Sequence, residues 1–301
     1  MTDMSWAGVM PAITTPFKED SSVDVEFLKK HCAWLIDRGA TGIIPLGSLG
    51  EGATLSFDEK VEVVRTCVGA AGGRVPVVSA ISSLSTREAV DLARAAERAG
   101  CRGLMVLPPY VHKGPWYEIR DHFSAVLGAT GLEAMIYNNP IAYGTDLKAE
   151  HVAELAERHP NVAAVKESSG DSRRVTALNV LLGERLALFV GLDDMIVEGV
   201  AAGAVGWVAG LVNALPEESV ELFQLAREGK AKEAFALYRW FLPLLRLDTV
   251  PEFVQLIKLA QQEVGMGSER VRPPRQPIAG EERRRVLALV RERLAERSMA
   301  A

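Results

Sequence analysis

Short apolar runs alternate with longer amphipathic ones along most of this chain. Eight of the short runs, at 9–14, 42–46, 75–80, 103–107, 133–137, 162–166, 187–190 and 204–208, are nearly unbroken by polar residues. That is the pattern of strands buried on both faces rather than on one. Between them apolar positions recur at helical spacing, as in Phe27, Leu28, His31, Leu35 and Ile36, or Val61, Val64 and Val68. Thr86 followed by Glu88 and Ala89 marks a helix start, and Gly100 closes that helix as a C-terminal glycine does. Strand–helix alternation repeated eight times predicts an α/β fold, a closed parallel (β/α)8 TIM barrel. An open doubly wound sheet is the rival, but no strand leads into a GxGxxG turn. The 47–52 segment, Gly-Ser-Leu-Gly-Glu-Gly, has the wrong spacing.

After residue 208 the rhythm changes. Segments 216–228, 230–245 and 250–263 read as helices with no strand between them. A connector holding Pro273, Pro274 and Pro277 follows, then a last amphipathic helix with Val286, Leu287, Val290 and Leu294 on one face. The expected organisation is a catalytic barrel over 1–228 and a small C-terminal helical extension over 229–301.

Composition narrows the function class. The 301 residues are 48% hydrophobic with a net charge of −5, enough for one large core and without the basic face a nucleic-acid partner requires. Positive charge gathers only between Arg270 and Arg297, where Glu281, Glu282, Glu292 and Glu296 interleave it as on a solvated helix. Cys32, Cys67 and Cys101 are odd in number and far apart in sequence, so each is expected to pack as a small apolar side chain in a reducing compartment. The start of the chain shows no secretory leader. The longest uncharged stretch, 199–216, is too short and too rich in Gly and Ala to span a bilayer. A cytoplasmic protein with no membrane or nucleic-acid partner is expected.

In a parallel barrel, chemistry sits at the C-terminal strand ends. Lys166 closes the sixth run behind four apolar residues. Pointing into the barrel mouth, it would lose hydration and become nucleophilic; the alternative is an exposed lysine paired with Glu167. Tyr137 closes the fifth run, as a proton donor and acceptor or as an aromatic cap on the core. Ser48 follows the second run among glycines that let backbone N–H groups converge on a carboxylate, or that serve an ordinary loop. The five histidines, His31, His112, His122, His151 and His159, have no metal-ligand spacing, so neither a catalytic metal nor a cofactor is expected.

Taken in order, these strand tips resemble the dihydrodipicolinate synthase / N-acetylneuraminate lyase family over nearly the whole chain. The resemblance is carried by Gly8-Val-Met-Pro-Ala-Ile-Thr-Thr-Pro-Phe17, Gly47-Ser-Leu-Gly-Glu51, Val106-Leu-Pro-Pro-Tyr110, Tyr137-Asn-Asn-Pro140, Val165-Lys-Glu-Ser-Ser-Gly-Asp171, Gly191-Leu-Asp-Asp194 and Val271-Arg-Pro-Pro274. It implies that Lys166 is the Schiff-base lysine, that Tyr137 shuttles protons and that Ser48 tunes it. It also implies that Leu49, Tyr110, Asn139, Ala142, Gly191 and Val208 surround the substrate, and that the protein is a homo-oligomer, a dimer of dimers. Three positions depart from the synthase. Leu49 replaces a second hydroxyl, and Ala142 stands where an arginine binds a dicarboxylic substrate. Val111 stands where a tyrosine lent by a neighbouring subunit is expected, with Tyr110 one residue early.

The implied activity is a Schiff-base lyase acting on a small 2-oxo acid or cyclic imine acid. Catabolic members fit the departures best. One is the 4-hydroxy-pyrroline-2-carboxylate deaminase of the hydroxyproline pathway; another is an aldolase or dehydratase of a 2-keto-3-deoxy acid or 4-hydroxy-2-oxoglutarate. Dihydrodipicolinate synthase proper is one alternative. A non-catalytic ligand-sensing or scaffold barrel is the other, since a fold does not fix a function.

Overall fold

The computed structural model describes residues 4–300. Seven strands form one parallel sheet: β1 (Gly8–Pro11), β2 (Val78–Ile81), β3 (Gly103–Val106), β4 (Glu133–Asn138), β5 (Val162–Glu167), β6 (Ala187–Val190) and β7 (Gly206–Ala209). Their order is β1-β7-β6-β5-β4-β3-β2. The remaining gap, between β1 and β2, is closed by the second apolar run. There the ladder shrinks to parallel bridges from Ile44 to Ala12 and from Ile43 to Val77. Proline explains the shortness: Pro11, Pro45 and Pro76 bring no N–H to this corner. The remaining donors still bond across it, Ile44 N to Pro11 O at 2.9 Å and Val78 N to Ile43 O at 2.9 Å. Counting this narrow stave, the sheet is a closed eight-stave TIM barrel, as the alternation of patterns predicts.

Helices wrap the barrel with their periodic faces inward. Helix α1 (Val25–Asp37) buries Leu28, His31, Cys32 and Leu35. Helix α2 (Phe57–Ala71) starts at a reciprocal Ser56–Glu59 capping box. Helix α3 (Thr86–Ala99) is capped by Ser85 and ends at Gly100 in the left-handed region. Cys32 and Cys67, distant in sequence, meet between α1 and α2 with sulfurs 3.7 Å apart. All three cysteines are buried free thiols.

The C-terminal segment forms α9 (Pro216–Arg227), α10 (Ala231–Leu245), α11 (Phe253–Glu263) and α12 (Gly280–Ala300). Its apolar residues, Phe241, Ile257 and Val286 among them, share one continuous core with the barrel strands. Polar ties fix it as well: Thr14 Oγ1 donates to Gln261 Oε1 at 2.8 Å. Helix α11 begins at Phe253 rather than at 250, because a 3-10 turn, Arg246–Asp248, comes between α10 and α11. That turn brings Asp248 to the mouth of the barrel.

Candidate active site

The register of the sheet places Tyr137 of β4 directly beside Lys166 of β5. Side chains alternate along a strand, so Lys166 points into the barrel mouth while Glu167 turns away. Glu167 accepts from Asn138 Nδ2 at 3.0 Å and from Ser169 N at 2.6 Å; it is not the partner of Lys166. Lys166 is only 5% exposed. Its Nζ lies over the Tyr137 ring, 4.2 Å from the centroid, within the range of a cation–π contact. Gly191, just past β6, makes room for this side chain: a Cβ there would overlap Lys166 Cε and the Ser168 hydroxyl. Tyr137 is oriented by Asn139, whose Nδ2 donates to the phenol oxygen at 3.0 Å. Asn139 in turn accepts from Ala142 N at 2.9 Å.

Across the mouth lies the 47–52 turn. Gly52 has no alternative there, since a Cβ would run into the Leu46 carbonyl. The turn is pinned from below by Glu51, whose buried carboxylate meets Lys258 Nζ at 2.6 Å. Lys258 also donates to Thr15 O at 2.8 Å and Arg270 O at 2.8 Å. Burial lowers the Lys258 pKa to about 8 against the pull of Glu51. Among the described residues, the N–H groups of Ser48 and Leu49 bond to no backbone or side-chain acceptor.

Tyr143 was not singled out from the sequence. It ends the four-residue helix Pro140–Tyr143, and its hydroxyl is hydrogen-bonded to Ser48 Oγ. Its ring packs edge-on against Tyr137, centroids 5.8 Å apart, and obliquely on Tyr110 at 5.5 Å. Burial raises its pKa well above the ordinary phenol value, so it remains a phenol. Ser48 therefore addresses Tyr143 rather than Tyr137. Tyr110 stands behind Tyr143, outside the residues that line the cavity. Val111 is 86% exposed and holds a positive φ of 69°.

The cavity at the barrel mouth is about 350 Å³, the size of a small metabolite site. Ser48, Leu49, Tyr137, Asn139, Ala142, Lys166, Gly191 and Val208 all line it. Lys166 is the one cation in that lining; no arginine is present. Asp248, with no sequence motif to announce it, contributes the one carboxyl group. A wider, shallower hollow lies outside, where Phe57 faces Arg87 and Arg94 of α3, away from every strand tip. Among the described residues no group of three His, Cys, Asp or Glu is placed to hold a metal ion, and no helix is long and apolar enough to cross a membrane.

The profile of the family described as "Dihydrodipicolinate synthetase family" matches residues 5–293. The chain belongs to the dihydrodipicolinate synthetase family. Like other members of that family it is an enzyme of the lysine Schiff-base lyase, aldolase-like type. It is 35% identical over 270 residues to the 4-hydroxy-tetrahydrodipicolinate synthase of Methanoculleus marisnigri, covering 89% of this chain and 92% of that protein. The 4-hydroxy-tetrahydrodipicolinate synthase of Methanopyrus kandleri is 34% identical over 268 residues, covering 89% of each. Among solved structures, dihydrodipicolinate synthase from Aquifex aeolicus superposes with a TM-score of 0.92 at 28% identity, over 95% of this chain and 98% of that one. YagE, an E. coli prophage protein of the family solved with pyruvate, gives 0.91 at 25% identity, over 96% and 99%.

Proposed function

We propose that this family member forms a Schiff base between Lys166 and the 2-keto carbon of a small 2-oxo acid, or of the equivalent cyclic imine acid, and then breaks a bond at C3. The observation that carries this reading is the placement of Lys166 Nζ 4.2 Å from the Tyr137 ring centre inside the cavity at the barrel mouth. The free N–H groups of Ser48 and Leu49 suit the substrate carboxylate. The amine adds to C2, and the Tyr137 phenol gives its proton to the departing carbinolamine hydroxyl, which leaves as water. The cationic iminium then draws electrons from C3, and the Tyr137 phenolate takes the C3 proton. Ser48 and Tyr143 extend the hydroxyl chain beside it. That YagE, a member of the same family, was solved in complex with pyruvate supports a 2-oxo acid as the substrate class.

The far side of the pocket argues for a compact substrate without a second carboxylate. Ala142, Leu49 and Val208 are apolar, and no arginine faces the cavity. A catabolic role fits that lining: the deaminase of 4-hydroxy-pyrroline-2-carboxylate, or an aldolase or dehydratase of a 2-keto-3-deoxy acid; 4-hydroxy-2-oxoglutarate, a dicarboxylate, fits it less well. The relatives' name favours synthesis of 4-hydroxy-tetrahydrodipicolinate instead, a reaction whose dicarboxylic product lacks a cationic partner here. Leu84 and Val111, both strongly exposed, provide apolar surface for the expected homo-oligomer.

Reduction with borohydride in the presence of pyruvate and several other 2-oxo acids tests the reading. A stable adduct on Lys166 is expected; an unmodified protein across the panel favours the non-catalytic barrel. Release of 2-oxoglutarate semialdehyde and ammonia from the cyclic imine acid selects the deaminase, and release of pyruvate selects an aldolase.

A further inference from the structure

Two carboxyl groups flank Gly210 at the barrel mouth, Asp193 fully buried and Asp248 half-buried, and they differ in how they are satisfied. Asp193 is saturated: it accepts from Trp207 Nε1 at 3.0 Å, from Gly210 N at 3.0 Å and from Leu211 N at 2.7 Å. Asp248 sits against the Cα of Gly210, close enough that any side chain at 210 would overlap its carboxyl oxygens. Among the described residues it has no N–H or O–H donor and no ion pair, although it lines the same cavity as Lys166. A carboxyl group left without donors next to a carboxylate that has three is the member of the pair that keeps the proton. Burial and the charges of Asp193 and Asp194 push its pKa well above the usual carboxylate range, with Lys166 pulling the other way. Asp193, pushed up to about 6 by burial, is held down by its N–H donors.

A neutral carboxyl group is a donor as well as an acceptor. In this cavity its target is a polar group on the part of the substrate beyond C3. A second carboxylate has no cation to meet there, while a hydroxyl does have an acid. We infer that Asp248 is a catalytic acid for the distal half of the reaction, binding the C4 hydroxyl of a 4-hydroxy-2-oxo acid (or its cyclic imine) and protonating it as it leaves. This rests on the Schiff-base reading above and selects dehydration over carbon–carbon cleavage. Retro-aldol cleavage needs a base to take the proton from the C4 hydroxyl; a protonated acid does the opposite. Once C3 has lost its proton, the enamine nitrogen pair reforms the C2–N double bond. The C2–C3 pair moves to C3–C4, and the C4–O bond breaks with its electrons on oxygen. The Asp248 proton completes the departing water. Hydrolysis of the conjugated iminium then frees Lys166 and an unsaturated 2-oxo acid.

The test uses 4-hydroxy-2-oxopentanoate, with 2-oxopentanoate as the control lacking the hydroxyl, and pyruvate trapping as the readout of Schiff-base formation. The full-length enzyme is expected to convert the hydroxy acid to the ultraviolet-absorbing conjugated 2-oxo acid. Asp248→Asn should slow that conversion by about 100-fold or more, the low end of the effect of a proton-transfer group, while still forming the pyruvate adduct. Asp248→Ala should also erase any preference for the hydroxy acid over 2-oxopentanoate in half-saturation of trapping. The inference is overturned by dehydration at an undiminished rate in Asp248→Asn. It is equally overturned if the wild-type enzyme shows no preference for the hydroxylated acid, leaves it unchanged, or releases pyruvate and acetaldehyde from it. Failure of the wild-type enzyme to trap pyruvate is a different result, which removes the Schiff base itself and this proposal with it.

Discussion

The floor of the cavity and its rim are built from different kinds of sequence. At the floor, Lys166 and Tyr137 occupy adjacent positions on neighbouring strands, so the hydrogen-bond register of the sheet alone brings amine and phenol together. At the rim, Tyr143 comes from a four-residue helix and Asp248 from a 3-10 turn beyond the last barrel helix. The floor has the rigidity of a ladder and suits chemistry that every substrate must share. The rim hangs on connections that change at little cost to the core, and there the chain departs from the synthase pattern, with Ala142 and Leu49 on the walls. The contrast separates the bond-making step from the choice of substrate.

The sharpest way to break that comparison is at the floor. Lys166→Ala is expected to abolish both turnover and borohydride trapping. Circular dichroism and the thermal midpoint should stay near wild type, because the substitution removes one amine and a few methylenes from an open cavity. Turnover close to wild type in that variant would refute the mechanism outright. Next in size is Tyr137→Phe, which keeps the ring over Lys166 and removes only the hydroxyl. A fall in kcat of about two to four orders of magnitude is expected of a proton-transfer group. An effect confined to KM would make Tyr137 a binding residue and leave the floor without its acid–base partner.

How much of this was legible in the chain follows the same division. The barrel could be read from eight apolar runs because buried parallel strands need no alternation, and helix ends such as Ser85 and Gly100 carry their own capping chemistry. The second run is the place where reading and structure part. Its residues are strand-like, yet three prolines around it thin the ladder to single bridges. Strand-tip residues were legible because their position follows from the fold. Tyr143 lies just past the Tyr137–Pro140 motif and carries no signal of its own, since nothing local says that its hydroxyl reaches Ser48 across the mouth. Asp248 was illegible for a stronger reason. Only the packing of α10 and α11 on the barrel decides that this turn faces Lys166 rather than solvent. Cys32 and Cys67 are a further case of separation in sequence hiding contact in space.

The rim can be probed more gently. Tyr143→Phe keeps the ring packed between Tyr110 and Tyr137 and deletes the bond to Ser48. One hydrogen bond is worth about 0.5–1.5 kcal/mol net, and about 1.4 kcal/mol is a factor of ten in rate. A loss of roughly tenfold in kcat is therefore expected, with pyruvate trapping retained. Steady-state kinetics that split kcat from KM decide the matter. An unchanged kcat makes Tyr143 a packing support behind Ser48 rather than part of the path of a proton.

The smallest effect concerns stability, and its sign follows from the electrostatics of the rim. Asp248 faces Asp193, Asp194 and Lys166, and its folded-state pKa lies above the unfolded value of about 3.9. Between those two pKa values the folded protein holds a proton that the unfolded chain has released. Stability is thus lost as pH rises above the unfolded pKa, and the loss is complete once pH passes the folded one. Asp248→Asn cannot ionise and escapes that loss. Its thermal midpoint should match wild type near pH 4 and exceed it by a margin that widens toward pH 8. Asp193 and Asp248 repel each other when both are charged, so the difference between the two proteins reports the titration of the pair. A gap that stays flat from pH 4 to pH 8, or that opens in the opposite direction, would mean that Asp248 is charged in the folded protein. The rim would then hold a base, and carbon–carbon cleavage would regain the advantage over loss of water.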